Sequence, residues 1–169
     1  ASKYLEALTQ MGKIFQVNII LGASNHNPNS EYEKFNQNLI KVIVYRNVID
    51  EKMASLLLES DLLIATPSNI MMEACTLNIP TITQSVAKNQ DPFYDFLNQH
   101  KLATCIPECS ENSTRGLAEL LNTTIFDQVY RKKMVGNQKK IFDGKSKLRL
   151  RNEFETLAEN CGISKNIND

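Results

Sequence analysis

Apolar and polar positions along this chain follow two rhythms. Helical spacing recurs over 3–11, 31–38, 51–58, 69–77 and 92–99, and between these stretches lie short apolar runs at 15–21, 40–45, 62–65, 81–83 and 103–106. Runs of that length, rich in Val, Ile and Thr, fit strands, whereas the longer stretches fit helices with one apolar face. Strands alternating with helices predict an α/β fold, an open parallel sheet with helices on both faces. Beyond Pro107 the pattern is helical, over 113–121, 125–138 and 145–160, with Asp143-Gly144 breaking the last two. This predicts a helical C-terminal extension. With no repeat and no long linker, a single domain over 1–169 is expected.

The stretch from Ser60 to Gln90 carries the most chemistry. An apolar run passes through Thr66-Pro67-Ser68 into a helical pattern containing Glu73, which ends at Asn78-Ile79-Pro80. A β-branched run follows and gives way to Lys88-Asn89-Gln90. This strand, loop, helix, strand unit gathers polar groups at one end, the end where open α/β sheets bind ligands. Ser68 suits an N-cap, leaving the N–H groups of Asn69, Ile70 and Met71 and the positive helix end for an anion such as a diphosphate. Glu73 lies one turn further on the same face, placed to accept from ribose hydroxyls. Asn78 is expected to close the helix in the left-handed conformation. Asn89 and Gln90 offer the mixed donors and acceptors that sugar hydroxyls need. Plainer roles stand beside these: a solvated glutamate, a serine that only caps, and loop amides in an Asn-rich chain.

Composition narrows the classes. At 169 residues and 42% hydrophobic content the chain can bury a sizeable core. Nineteen basic against nineteen acidic residues give no global attraction to nucleic acid or anionic membrane. The basic run Lys139-Lys140 and 145–151 reads as the solvated face of a terminal helix, with a weak anionic partner as the alternative. Cys75, Cys105, Cys109 and Cys161 lack metal-ligand spacing, so buried or free thiols in a reducing cytosol are expected, with no metal and no cofactor. No apolar run approaches the ~20 residues of a membrane span and no signal peptide opens the chain, so a cytoplasmic location is expected. Met71-Met72, Phe93, Tyr94 and Phe96 read as core packing, and His26 and His100 as surface histidines.

With those residues in place, the segment resembles the C-terminal nucleotide-sugar half of GT-B proteins, which have a Rossmann-like sheet. It is similar to the UDP-sugar hydrolase of pseudaminic acid biosynthesis and to the UDP-GlcNAc transferase of peptidoglycan synthesis. Ser68-Asn69, Glu73-Ala74 and Lys88-Asn89-Gln90-Asp91 follow the hydrolase spacing more closely, and the likeness covers roughly 2–107. The resemblance implies diphosphate binding at Ser68, Asn69 and Ile70, ribose binding at Glu73 and sugar binding at Asn89 and Gln90. It places uracil against the main chain of Val48 and Ile49, before a helix capped by Asp50. Two departures stand out. Pro67 occupies a position where such proteins have Gly or another very small residue, which removes an N–H. The family's first strand, its Gly-rich loop and its N-terminal half with the proposed catalytic histidine have no counterpart, so no catalytic residue is assigned.

Three functions follow as expectations. The chain is the UDP-sugar-binding domain of a hydrolase or glycosyltransferase of bacterial surface glycan biosynthesis, completed by an N-terminal domain or partner chain. Alternatively it is a non-catalytic nucleotide-sugar-binding module, or an interaction domain that kept the fold.

Overall fold

The computed structural model describes residues 1–37, 39–107 and 114–161. The chain opens with helix α1 (Ser2–Gln10), strand β1 (Phe15–Leu21), the short helix α2 (Ser30–Glu33) and strand β2 (Ile40–Arg46). Helix α3 (Asp50–Leu58), β3 (Leu63–Ala65), α4 (Asn69–Thr76), β4 (Thr81–Thr83), α5 (Asp91–Gln99) and β5 (Thr104–Cys105) continue the alternation. Three helices close it: α6 (Thr114–Phe126), α7 (Gln128–Ile141) and α8 (Ser146–Asn160). The fold is mixed α/β, and the five named strands pair in parallel.

The single open sheet expected from the alternation is divided in two. β1 pairs with β2 over seven residues, while β3, β4 and β5 form a separate sheet in that order. A shared core makes them one layer. Leu5 and Leu8 of α1, Ile19 of β1, Val42 of β2, Ile82 of β4 and Leu121 of α6 belong to one buried cluster, so α1 and α6 cover one face of both sheets. On the opposite face Leu57 of α3 packs with Ala74 of α4 and Ile79, while Met71, Leu97 and Leu102 form a third cluster with Leu63 and Ala65 at its edge. Met71 is fully buried and Met72 is 40% exposed, so only the first of that pair is core.

Local sequence explains the element ends. Asn78 has φ 63°, the N–H of Asn78 donates to Cys75 O, and that of Ile79 donates to Ala74 O. This double bond pattern with a left-handed residue terminates α4 and aims the chain into β4. Lys101, at φ 53°, closes α5 the same way. The helix expected over 31–38 shrinks to four residues, because Asn36 Oδ1 is drawn off to accept the Val42 N–H at 2.7 Å and Gln37 bridges Ile40. The break expected after 121 falls instead at Asp127, whose carboxylate accepts the Tyr130 N–H and starts α7. α6 runs through the β-branched pair because Thr123 and Thr124 satisfy their hydroxyls on the carbonyls of Glu119 and Leu120. Among the described residues no helix is long and apolar enough to cross a membrane.

Candidate functional site

The candidate site is built on the turn from β3 into α4. Pro67 is buried and holds the turn against the protein, while Ser68 and Asn69 are exposed. Ser68 occupies the N-cap position with extended backbone, φ −158° and ψ −179°. Its hydroxyl does not cap the helix, however, and donates to Thr66 O at 3.1 Å. The main chain does part of that work instead, since the Met71 N–H donates to Ser68 O at 3.0 Å. Two N–H groups therefore face outward, those of Asn69 and Ile70, and neither meets an acceptor among the described residues. Met71 does not join them, contrary to the sequence expectation.

Glu73 is exposed and its carboxylate forms no hydrogen bond or ion pair with the described residues. Its position four residues after Asn69 keeps both on one side of α4, while Met71, Ala74 and Cys75 bury the other side. The helix end thus presents two donors at its positive pole and one acceptor a turn away. An anion with a neighbouring diol matches that pattern chemically.

The other expected residues come to the same end of the strands with different freedom. Asn89 and Gln90 lie in a single 3₁₀ turn, Lys88–Gln90, after β4, the neighbour of β3. Asn89 is exposed and meets no hydrogen-bond partner among the described residues. Gln90 is engaged within its own loop, where Oε1 accepts the Val86 N–H at 3.0 Å, leaving only its amide NH₂ for a ligand. Val48 and Ile49 follow β2, so β1 lies between them and the second sheet. Ile49, not Asp50, holds the N-cap position of α3 and is 65% exposed; Asp50 is the first helical residue. The structure thus groups Ser68, Asn69, Ile70 and Glu73 on one helix end, sets Asn89 and Gln90 after the adjacent strand, and keeps Val48 and Ile49 apart.

A cavity of about 850 Å³ lies between the two sheets, and none of these eight residues lines it. Its nearest approach to them in sequence is Thr66, one turn before α4. At that end sits a polar cluster that the sequence reading missed. Gln84, only 3% exposed, accepts from Lys3 Nζ at 2.6 Å and from Tyr4 OH at 3.1 Å through the same Oε1. Lys3 read as one more polar position on a helix. Only the fold, by setting the start of α1 beside the end of β4, brings its ammonium to the cavity mouth.

The thiols are set away from this chemistry. Cys75 is buried in α4, and burial pushes it up to about 11; Cys105 rises to about 12, from burial first and Asp95 second. Cys161 is exposed at the end of α8. Cys109 lies outside the described residues. His26 and His100 are both exposed, the second with its ring 4.5 Å from Phe96.

Comparison with known proteins adds one relative. No family model matches the chain. It is similar to the uncharacterized protein MJ1062 of Methanocaldococcus jannaschii, with 32% identity over 100 residues, covering 55% of this chain. The match spans only 19% of that protein's own length.

Proposed function

We propose that this chain is a nucleotide-sugar-binding domain of GT-B type acting on a UDP-linked amino sugar, within a hydrolase or glycosyltransferase of bacterial surface glycan biosynthesis located in the cytoplasm. One observation supports this above the others: the outward N–H groups of Asn69 and Ile70 and the exposed Glu73 carboxylate lie on one helix end at the C-terminal edge of a parallel sheet. Ligands of open α/β sheets bind at that edge. In this reading the two N–H groups and the helix dipole hold the diphosphate beside Ser68, and Glu73 accepts from the ribose. Val48 and Ile49 bracket uracil through the main chain, and Asn89 with the free NH₂ of Gln90 meets the sugar.

In a hydrolase, water oxygen bonds to the anomeric carbon as the bond to the β-phosphate oxygen breaks, and UDP leaves with the electron pair. The helix start stabilises the charge that gathers on the diphosphate. Taking the proton from water falls to groups outside the described residues, such as a second domain. A transferase differs only in the attacking hydroxyl. A second reading, a non-catalytic nucleotide-sugar-binding or interaction module, is favoured by the Ser68 hydroxyl, which is already committed to Thr66 O.

Calorimetric titration with UDP and UDP-GlcNAc tests the proposal. Binding in the micromolar to millimolar range is expected, weakened about tenfold or more by Glu73→Ala, as befits loss of a charged hydrogen bond. Equal affinity of the two proteins would remove the ribose role, and no binding of either nucleotide would leave the interaction reading.

A further inference from the structure

We propose that α8 is the dimerisation element of this protein and pairs antiparallel with α8 of a second copy. The helix, Ser146–Asn160, buries none of its residues, whereas each other α-helix among the described residues buries at least one. A lone helix of 15 residues is marginal in water, and a packed face is what stabilises such a helix. The apolar residues of α8 are arranged for one. Leu150, Phe154 and Leu157 are each more than half exposed, and Cys161, at the end of the helix, is exposed as well. Their spacing of four, three and four residues puts all four on one narrow stripe, the seam of a two-helix coil rather than the broader face that packs on a sheet. Glu155 and Ala158, the half-buried members of α8, do not belong to it.

Charge order identifies the partner. Lys147, Arg149 and Arg151 occupy the first half of α8, and Glu153, Glu155 and Glu159 the second. This order opposes the helix's own dipole, which favours anions at the N-terminal end and cations at the C-terminal end; α8 has no acid in its first turn and no base in its last. Arg151 also precedes Glu155, its ion-pair partner at 3.0 Å, the weaker of the two orders for such a pair. Arg149 meets Asp143 at 2.9 Å, but both pairs reach solvent and are screened. A helix of the same charge order lying antiparallel turns the conflict into attraction, since its acidic half and negative pole meet the basic half and positive pole of the first. A second copy of this chain supplies that order. An anionic membrane does not fit, because three cations against three anions leave α8 without net charge.

One register satisfies the whole seam. With the two-fold axis between residues 155 and 156, Leu150 of one copy lies opposite Cys161 of the other and Phe154 lies opposite Leu157, so every stripe residue meets a stripe residue. A parallel arrangement would instead set Arg151 beside Arg151 and Glu153 beside Glu153. The antiparallel one also holds the two attachment points, at Lys145, about 30 Å apart along the axis, which leaves room for both bodies. A seam of about two heptads buries less than the ~1,200 Å² of a standard interface, so the dimer is weak, with a dissociation constant on the order of 10 µM. Ser68, Asn69, Ile70 and Glu73 lie on α4, so dimerisation and nucleotide binding are separate properties.

Sedimentation equilibrium of the 1–169 chain between about 1 µM and about 1 mM tests this, and a monomer–dimer equilibrium is expected within that range. Phe154→Glu is expected to raise the dissociation constant about a hundredfold or more. Phe154 is exposed, so the substitution spares the core. Leu150→Cys reads the register directly. Mild oxidation is expected to link position 150 of one copy to Cys161 of the other, about tenfold or more faster than any link forms in the parent chain. A protein that stays monomeric throughout overturns the proposal, and its capture by anionic vesicles would then assign the stripe to a membrane. A dimer unchanged by Phe154→Glu overturns it too. So do links between the two Cys161 thiols of a parent dimer, or a dimer that tightens as salt is raised, both marks of parallel pairing.

Discussion

β1 and β2 pair over seven residues, whereas β3 and β4 pair over three, and β4 and β5 over two. Ladder length alone would make the first sheet the firmer one. The burial pattern argues otherwise, since Thr81, Ile82 and Thr83 of β4 are all 0% exposed, and β2 reads buried at only two positions. The short sheet is stitched by α7. Gln138, itself fully buried, donates through Nε2 to Leu102 O at 2.8 Å and Ile79 O at 3.2 Å, the carbonyls just ahead of β5 and β4. The long sheet has a comparable stitch in Asn36, but that residue is exposed. A side chain that satisfies backbone in a dry place does more than one whose partner water can reach.

Gln138→Ala breaks this comparison most directly. It strands Ile79 O in the interior, at about 1–3 kcal/mol, and takes from Leu102 O one of its two donors, about 1 kcal/mol more since Thr81 Oγ1 still donates to it at 3.1 Å, so a loss near 3 kcal/mol in urea unfolding is expected. The Gln138 Oε1 is already buried without a partner, which offsets part of the cost when the whole amide is removed. Native-state exchange should show the loss in the amides of Ile82 and Thr104 before those of Val17 and Ile19. A loss below about 1 kcal/mol would show that α7 is not what holds the short sheet.

How far the sequence carried the fold follows from the same contrast. Both long strands, the short β3 and β4 and the stop at Asn78 were legible, because each rests on local pattern: an apolar run, a β-branched triplet, a residue that tolerates positive φ. The split of the sheet was not legible in the local pattern, because it concerns edges of strands about 40 residues apart; only the lack of a counterpart to the resembled family's first strand pointed toward a gap. Asn36 reads as helix until Val42, six residues away, claims its side chain. At the site, the N-cap position of Ser68 was legible and its rotamer was not. The choice between the Met71 N–H and Thr66 O depends on turn geometry beyond residue type. Lys3 and Gln84, 81 positions apart, meet only through the placement of α1.

A smaller effect, and one confined to the short sheet, is expected at alkaline pH. Cys75 sits against Thr81 and Gln138, and burial raises its thiol from 9.0 to about 11. The folded protein therefore keeps a proton that the unfolded chain releases once pH passes 9. Stability is fully present below that point and falls as pH rises toward 11. Cys105 on β5, raised to about 12, acts in the same direction, and neither β1 nor β2 contains a cysteine. Urea midpoints measured between pH 9 and pH 11 should fall in the parent protein and fall less steeply in Cys75→Ala. Identical slopes would mean that the thiol is not desolvated by folding.

Asn36→Ala should give the smallest change and sharpens the comparison from the other side. The substitution removes the 2.7 Å bond to the Val42 N–H at the outer edge of β2, a bond of about 1 kcal/mol. Two effects soften the loss. Val42 is itself buried, but its N–H lies on the side of β2 away from β1, and removing the exposed Asn36 side chain opens it to water. Alanine also favours helix over asparagine by about half a kcal/mol, which helps α2 extend along the stretch whose pattern is helical but which stops at Glu33. The net cost should stay well under about 1 kcal/mol, a third or less of that of Gln138→Ala, with any lengthening of α2 read from the backbone shifts of residues 34–37. A cost matching that of Gln138→Ala would mean that solvent access does not separate the two sheets, and the stability of the short one would have to come from the packing of Thr81, Ile82 and Thr83 alone.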